Sequence, residues 1–451
     1  MHNSFYFKDQ VIWGNYKLSL EYIHSGSQHG LLETNHIKGR SRANDTMGSP
    51  DILDIRGDFN ILRTQPNLVY LDAASTALVP TRVVDAMARF LNEVAVSSRR
   101  GAYSLATRGA ELVELTRKRV AKLTSTEPSM VSFHNTVAET VSSLVYGMSW
   151  NRGHRDTIVM AETEDHDTMV PLLRAAQVLG LRVRTIPIGP DYCLDLDQAA
   201  ALIDNRAGLV AVGCSPVGIG THNDVQEVSK IAHEHEAIVL SDATRYLGLF
   251  EFDAMSVGAD VTIVSANNAF LAPPGIVIQW VDKDVAREHV PGILGGSTVT
   301  AVTLTSFEPA LYPDKFEPGL MNVPSIAGLA EAVDYIVTLG PKRIKSHLQS
   351  LSSQLSAGLK ELSTVLVYGP VHPGRTTFGF NVGITEPLNC HDVAMFMDQL
   401  GIAVRSGLLC AHPLVSSLSG EGIVQASIHV YNTSEDIDRF LEALQEICNM
   451  T

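Results

Sequence analysis

Polar side chains follow two apolar segments of the sequence, at points where chemistry could take place. Asn135 and Thr136 follow the segment VSFH and open the next helical pattern. Exposed backbone N–H groups and the Thr136 hydroxyl could seat a phosphate there, or Thr136 could simply cap the helix. Asp242 follows the apolar segment AIVLS, where its carboxylate could pair with a cationic ring nitrogen or cap a turn.

Two further segments carry polar groups. Ser265, Asn267 and Asn268 follow the segment DVTIV, and two adjacent Asn residues after a buried strand are typical of a turn. Arg405 stands five residues before Cys410. A lone Cys is most often a small buried hydrophobe, but a nearby cation stabilises the thiolate and would make Cys410 a nucleophile. The sequence has no Ser–His–Asp set and no His or Cys spacing typical of a metal site, so we expect no metal.

Alternating strands and helices must position these residues. From Leu68 onward, short apolar segments alternate with helical patterns, which predicts an α/β fold with a mainly parallel sheet covered on both faces. Ligands of such sheets bind at the carboxyl ends of the strands. We divide the chain into an N-terminal extension (1–55), a large α/β domain (56–315) and a small C-terminal α+β domain (316–451). The extension is polar and rich in Gly and Ser, with a short helix predicted near Tyr16 to Ile23.

Composition narrows the class of protein. The 451 residues include 34 Lys and Arg against 49 Asp and Glu, a formal net charge of −15, and no basic run. This balance argues against nucleic acid or an anionic membrane as a partner. The five cysteines lack a C-x-x-C pair, and the sequence shows no signal peptide and no apolar run long enough to span a bilayer. We expect a cytoplasmic protein that acts on a small molecule.

Taken in order, several segments resemble the class V aminotransferase family, most closely the cysteine desulfurases and isopenicillin-N-epimerase-like members. They are LVYLDAASTALVP, HNTVAET, EDHDTMVPLLRA, VLSDATRYLG, SANNAFLAPPG and AVRSGLLCAHP. The resemblance runs from about Asp54 to Ile447. It implies the pyridoxal-phosphate (PLP)-dependent transferase fold type I, with a large seven-stranded domain, a small domain, and a homodimer whose sites lie at the interface.

The same resemblance indicates that the cofactor-holding positions have changed. The Schiff-base lysine of the family corresponds to Asn268, and the preceding His corresponds to Asn267. An amide has no basic nitrogen that could form an imine, so we expect no internal aldimine and no covalent PLP. The Gln at the cofactor's phenolic oxygen corresponds to Arg245, and the ring-stacking His corresponds to Asp165, next to His166.

Two further positions of the family have changed, while five are retained. The Arg that clamps the substrate carboxylate corresponds to Gln425, and the phosphate-binding Thr contributed across the dimer corresponds to Leu320. The retained residues are Thr136, Asp242, Ser265, Arg405 and Cys410, the last at the position of the sulfur-accepting Cys. Because the departures are several and coordinated, we interpret them as natural divergence.

We therefore expect a divergent enzyme that acts on a small molecule, for example in specialised-metabolite biosynthesis. It would work without a cofactor or with PLP or pyridoxamine phosphate (PMP) held non-covalently. The alternatives are a non-catalytic dimeric scaffold or regulator, and an orthodox PLP-dependent cysteine desulfurase or lyase. The candidate residues are catalytic Cys410, His166 and Arg245; cofactor-binding Thr136, Asp242, Ser265, Asn267 and Asn268; and substrate-binding Arg405 and Gln425.

Overall fold

The computed structural model describes residues 55–98, 101–151, 153–250, 253–254, 256–370 and 374–450, together with the backbone of two strands near the N-terminus. The chain separates into two compact units, residues 1–49 and 50–451. In the first unit, Gln10–Trp13 and Tyr16–Ser19 form an antiparallel pair. The prediction of a helix near Tyr16 is therefore wrong over the residues whose backbone is described. There the backbone N–H and C=O groups bond to a neighbouring strand instead of to a helical turn.

The strands and helices alternate along the chain as the sequence predicts. The strands are β1 Gln10–Trp13, β2 Tyr16–Ser19, β3 Val69–Tyr70, β4 Val131–His134, β5 Thr157–Ala161, β6 Arg182–Ile186, β7 Ala207–Ala211, β8 Ile238–Asp242, β9 Val261–Ser265, β10 Val277–Val281, β11 Val299–Val302, β12 Phe307–Pro309, β13 Val365–Tyr368, β14 Thr377–Val382, β15 Ile402–Ala403, β16 Arg405–Gly407 and β17 Ile423–Ser427. The helices are α1 Asn60–Thr64, α2 Thr81–Glu93, α3 Ser104–Leu123, α4 Val137–Gly147, α5 His166–Leu179, α6 Leu196–Leu202, α7 Val225–Glu234, α8 Lys283–Glu288, α9 Val323–Leu339, α10 Pro341–Glu361, α11 Cys390–Gln399, α12 His412–Leu418 and α13 Ser434–Cys448.

A seven-stranded sheet forms the large part of the second unit, in the order β4-β10-β9-β8-β7-β5-β6. The pairs from β9 to β6 are parallel, whereas β10 runs antiparallel to both β4 and β9. Successive residues of a strand face opposite sides, so Ile158 and Met160 join one buried cluster while Val159 and Ala161 join another. Apolar layers on both faces explain why the inner strands β5 and β7 are buried along their whole length, and the predicted mainly parallel sheet is confirmed.

A four-stranded antiparallel sheet, in the order β13-β14-β17-β16, lies in the C-terminal part of the same unit. The short parallel pair β3–β15 and a bridge between Asp72 and Ser427 join the segment after β3 to this part of the chain. Residues 50–451 form a single compact unit. The division of this unit into two domains between residues 315 and 316 therefore stays a prediction.

Local signals in the sequence set several helix ends. The side chain of Asp165 accepts a hydrogen bond at the start of α5, and Gly180 takes a left-handed conformation at its end. Thr433 and Asp436 form a reciprocal capping box at the start of α13. In the described part of the chain, no single helix has the length and hydropathy to cross a membrane, although the sharply bent pair α9–α10 passes that test by length and composition.

Candidate functional site

A cleft lies at the carboxyl ends of the adjacent parallel strands β5, β7 and β8, where ligands of α/β sheets are expected. Glu164 follows β5, Asp242 ends β8, and both line this cleft with Asp165 and Arg245. Three carboxyl groups thus share the cleft with one guanidinium group. Such a set could hold a cationic or hydrogen-bond-donating group, or exchange protons with one.

Burial changes the proton affinity of two of these carboxyl groups. Glu164 is only 3% exposed, and burial raises its pKa to about 8, although the Gly213 N–H donates to Oε1 at 2.6 Å. Burial and the nearby Asp165 raise the pKa of Asp242 to about 6, although the Thr244 N–H donates to Asp242 Oδ1 at 2.8 Å. At neutral pH, Glu164 therefore holds its proton while most of Asp242 is ionised.

Arg245 forms hydrogen bonds to two different segments of the chain. Its Nη2 donates to Asp165 Oδ2 at 2.9 Å, and its Nε donates to the carbonyl oxygen of Ala74 at 3.2 Å. Asp165 in turn accepts the N–H of Asp167 at the start of α5. Because the guanidinium is paired, it neutralises one of the three carboxyl groups and leaves the cleft net acidic.

Asn268 lies beside the cleft, in the turn that follows β9, as the paired Asn residues predict. Its side chain is buried, and Nδ2 donates to the carbonyl oxygens of Ala74 at 2.8 Å and Ser75 at 3.0 Å. Both amide protons are therefore engaged by backbone. Next to it, Ser265 Oγ donates to Asn267 Oδ1 at 2.6 Å, and the two candidates stabilise the same turn.

The loop at residues 72–77, called here the 72–77 loop, connects the candidate residues. Besides accepting from Arg245 and Asn268, it contacts Arg405, whose Nη1 donates to Ser75 Oγ at 3.0 Å and whose Nη2 lies 3.2 Å from Cys410 Sγ. Ser75 Oγ donates to Asp72 Oδ1 at 2.5 Å. Cys410 is exposed, and its thiol lies beside a cation.

His166 joins this group from the start of α5. Its backbone N–H donates to the carbonyl oxygen of Cys410 at 2.8 Å, and its Nε2 accepts the N–H of His412 at 3.3 Å. The two imidazole rings are nearly perpendicular, with centroids 4.3 Å apart. Burial and the neighbouring His412 lower the pKa of His166. The structure therefore brings His166, Arg405 and Cys410 together.

Two candidates bond to backbone groups instead. Thr136 is exposed and caps α4, with Oγ1 accepting the Glu139 N–H at 3.1 Å, as in the simpler interpretation of this residue. Gln425 is fully buried, and its Nε2 donates to the carbonyl oxygens of Val217 and Gly218. Their predicted roles in binding cofactor and substrate stay predictions.

Sequence reasoning missed Asp72, Ser75 and Glu164 as members of the site. The first two lie in the segment LVYLDAASTALVP, one of those that resemble the family. A signal was available for these two residues, because Asp and Ser favour turns and both follow the strand-like segment LVYL. Nothing local distinguishes Glu164 from its neighbours Glu162 and Asp165, since its burial depends on β7.

The residues present do not fit covalently attached PLP, the cofactor that the resemblance implies. Asp242 could supply the counter-charge for a ring nitrogen. However, Asn268 offers only a fully engaged amide, and among the described residues no hydrogen bond or ion pair joins a lysine to the cleft or to the 72–77 loop. Lys230, between β7 and β8 in sequence, is exposed and donates to Glu227 at 2.7 Å.

Comparison with known proteins gives a consistent result. Residues 69–440 match the family described as Aminotransferase class-V. A probable cysteine desulfurase of Methanothermobacter thermautotrophicus is 33% identical over 401 residues, covering 88% of this chain and 98% of that protein. A cysteine desulfurase of Klebsiella pneumoniae is 31% identical over 403 residues, covering 87% and 97%. The apo structure of a cysteine desulfurase from Thermococcus onnurineus NA1 superposes with a TM-score of 0.81 at 30% identity, covering 90% of this chain and all of that one.

These matches span nearly the whole second unit and agree with the large sheet described above. The expected PLP-dependent transferase fold type I is confirmed. The chain belongs to the class V aminotransferase family, with cysteine desulfurases among its relatives.

Proposed function

We propose that this protein is a divergent enzyme of its family that acts on a small molecule without a lysine–cofactor imine. It works either without a cofactor or with PLP or PMP held non-covalently. It differs from a standard cysteine desulfurase both where the cofactor would be attached and where the substrate carboxylate would be held. The proposal includes a cytoplasmic homodimer with neither nucleic acid nor a membrane as a partner.

The observation that carries the proposal is the bonding of Asn268. Its amide is buried and donates to two backbone carbonyl oxygens, so the side chain is a structural part of the turn. An amide nitrogen is not nucleophilic and cannot form an imine. Gln425 supports the same interpretation, because its side chain is directed to backbone carbonyl oxygens and carries no charge for a carboxylate.

The cleft and the residues around the 72–77 loop nevertheless retain groups with chemical capacity. Glu164 holds a proton at neutral pH, Asp242 is mostly ionised, and Cys410 is an exposed thiol beside a guanidinium. A neutral acid next to a carboxylate is a combination suited to proton transfer. An inert scaffold has no need for such an arrangement, which costs stability through the burial of Glu164 and Asp242.

Spectroscopy of the purified protein tests the proposal directly. After incubation with PLP and removal of the free PLP by dialysis, we expect no borohydride-reducible absorption band on the protein, and peptide mass spectrometry should find no lysine that carries a stoichiometric pyridoxyl group. PLP or PMP, if used, should be removed completely by dialysis. A pyridoxyl-modified lysine after reduction would establish an orthodox PLP enzyme and refute the proposal.

A non-catalytic dimeric scaffold is a second candidate, favoured by exposed apolar side chains. Leu304, Phe307 and Leu320 are each at least half exposed, and the first two lie on or next to the β11–β12 hairpin. Large exposed apolar residues in one region are typical of surfaces that contact other proteins. Sedimentation analysis combined with screening for small-molecule ligands separates the two candidates, because a scaffold would associate yet bind no ligand in the cleft.

A further inference from the structure

The Arg405 guanidinium is a cation whose place depends on two contacts at its tip. Nη1 donates to Ser75 Oγ at 3.0 Å, and Nη2 lies 3.2 Å from Cys410 Sγ. Among the residues that the structure describes, Arg405 forms no ion pair with a carboxylate, whereas Arg245 is paired with Asp165. An arginine side chain has several rotatable bonds, so its charge stays in one place only where the tip is held.

The backbone that carries the Cys410 thiol is held by other contacts. Leu409 and Cys410 adopt the left-handed conformation, with φ of 54° and 58°. The Leu409 side chain is 3% exposed, and the carbonyl oxygen of Cys410 accepts the His166 N–H at 2.8 Å. The distance between the thiol and the positive charge therefore depends mainly on the Arg405 side chain.

The Ser75 hydroxyl that accepts from Arg405 is oriented by Asp72. Ser75 Oγ donates its single proton to Asp72 Oδ1 at 2.5 Å, which leaves the lone pairs of the oxygen for the guanidinium. Asp72 is itself held, because its carbonyl oxygen accepts the Ser75 N–H at 3.1 Å and its backbone bridges to Ser427. Burial raises the pKa of Asp72, while the hydrogen bond from Ser75 and the charge of Arg405 oppose that rise. Ser75 thus presents a fixed acceptor to the guanidinium.

We infer that Ser75, oriented by the Asp72 carboxylate, is a positioning residue that holds the Arg405 guanidinium beside the Cys410 thiol. The inference rests on the proposed function, in which Cys410 takes part in the chemistry. A guanidinium held there stabilises the thiolate and attracts an anionic reactant to it. Without the Ser75 hydroxyl, Arg405 keeps its place in β16 but its charge spreads over several positions.

Alkylation of Cys410 by an anionic and a neutral reagent tests the positioning in the full-length protein. Iodoacetate and iodoacetamide are similar in size and attack the same thiolate, so accessibility and thiolate fraction cancel in the ratio of their rates. Mass spectrometry of the Cys410 peptide gives both rates. We expect Ser75→Ala to lower the iodoacetate-to-iodoacetamide ratio roughly fivefold, the effect of one unit charge about 4 Å away in water. Arg405→Gln gives the ratio without the charge.

Two further variants separate the hydroxyl from general disturbance of the loop. Ser75→Thr keeps the hydroxyl and should keep the wild-type ratio. Ser406→Ala is the matched control, because the Ser406 hydroxyl is next to Arg405 in sequence but contacts His391 Nδ1 at 2.9 Å. A ratio unchanged in Ser75→Ala or Arg405→Gln, or lowered equally in Ser75→Thr or Ser406→Ala, would overturn the inference.

Asp72→Ala supplies an independent test through the sign of its effect. Loss of a negative charge near the thiol by itself raises the ratio, whereas loss of the orientation of Ser75 lowers it. We expect a lower ratio, and a higher one would remove Asp72 from the positioning role. Alkylation requires no turnover, so this inference and the proposed function can fail independently of each other.

Discussion

Replacing Glu164 with Gln should remove a loss of stability that the wild-type protein suffers between pH 6 and pH 8. Glu164 is 3% exposed, and burial raises its pKa from 4.5 to about 8. The folded protein therefore keeps this proton up to about pH 8, whereas the unfolded chain releases it near pH 4.5. The contribution of the Glu164 proton to stability is complete below the pKa of Glu164 in the unfolded chain. It is lost as the pH rises through the pKa of Glu164 in the folded protein.

The size of this loss follows from the two pKa values. Each pH unit over which only the folded state holds the proton lowers the free energy of unfolding by about 1.4 kcal/mol. With a folded pKa of about 8, the loss between pH 6 and pH 8 is about 2 kcal/mol. Asp242, with its pKa raised to about 6, loses its own contribution mainly below this range. The Gln side chain keeps the shape of the Glu and an acceptor oxygen for the Gly213 N–H.

Urea unfolding followed by circular dichroism at pH 6 and pH 8 measures the effect in both proteins. Relative to wild type, Glu164→Gln should retain about 2 kcal/mol more free energy of unfolding on moving to the higher pH. Histidines titrate in both proteins, so their effect cancels in the comparison. Glu162→Gln is the matched control, because this half-buried carboxylate two residues earlier accepts the Ile188 N–H. Parallel pH dependences of wild type and Glu164→Gln would refute the assignment of a protonated carboxyl group.

Three other substitutions test the candidate site. Asn268→Lys alone should not yield measurable alanine from cysteine. Without a cation at position 425, binding of the substrate carboxylate is weaker by about 1.5–3 kcal/mol, roughly ten- to a hundredfold in affinity. Alanine production by this variant would contradict the proposed loss of function. Cys410→Ser should lower iodoacetamide labelling of the folded protein by one thiol, because Cys410 is exposed whereas Cys214, Cys390 and Cys448 are buried. Labelling that mass spectrometry finds unchanged would show that reagents do not reach Cys410. Asp242→Ala should abolish any equilibrium binding of PLP or PMP, because the cofactor ring loses its counter-charge. Asp242→Asn keeps the acceptor for the Thr244 N–H and serves as a control for local structure. Binding retained by the Ala variant would show that the inherited cofactor site is not used.

The family and the order of its elements could be read from the sequence because they rest on local chemistry. Apolar segments that alternate with helical patterns predict the layers of the α/β unit, and local residues such as Asp165, Gly180 and Thr433 stand at the helix ends of the structure. The turn at Asn267 and Asn268 follows from the short amide side chains. The spacing of five residues between Arg405 and Cys410 left a buried Cys and a thiol beside a cation as alternatives, and the structure places the Arg405 guanidinium 3.2 Å from the thiol.

Contacts between distant segments decided the rest. Asn268 and Arg245 converge on the carbonyl oxygen of Ala74, which lies more than 150 residues earlier in the chain, and no local pattern encodes that meeting. The antiparallel β10 and the buried Glu164 likewise depend on which strands become neighbours in the sheet. The sequence specifies Asn at position 268. The bonding of its amide to two carbonyl oxygens follows from the fold, because burial and hydrogen bonding are properties of the assembled surroundings.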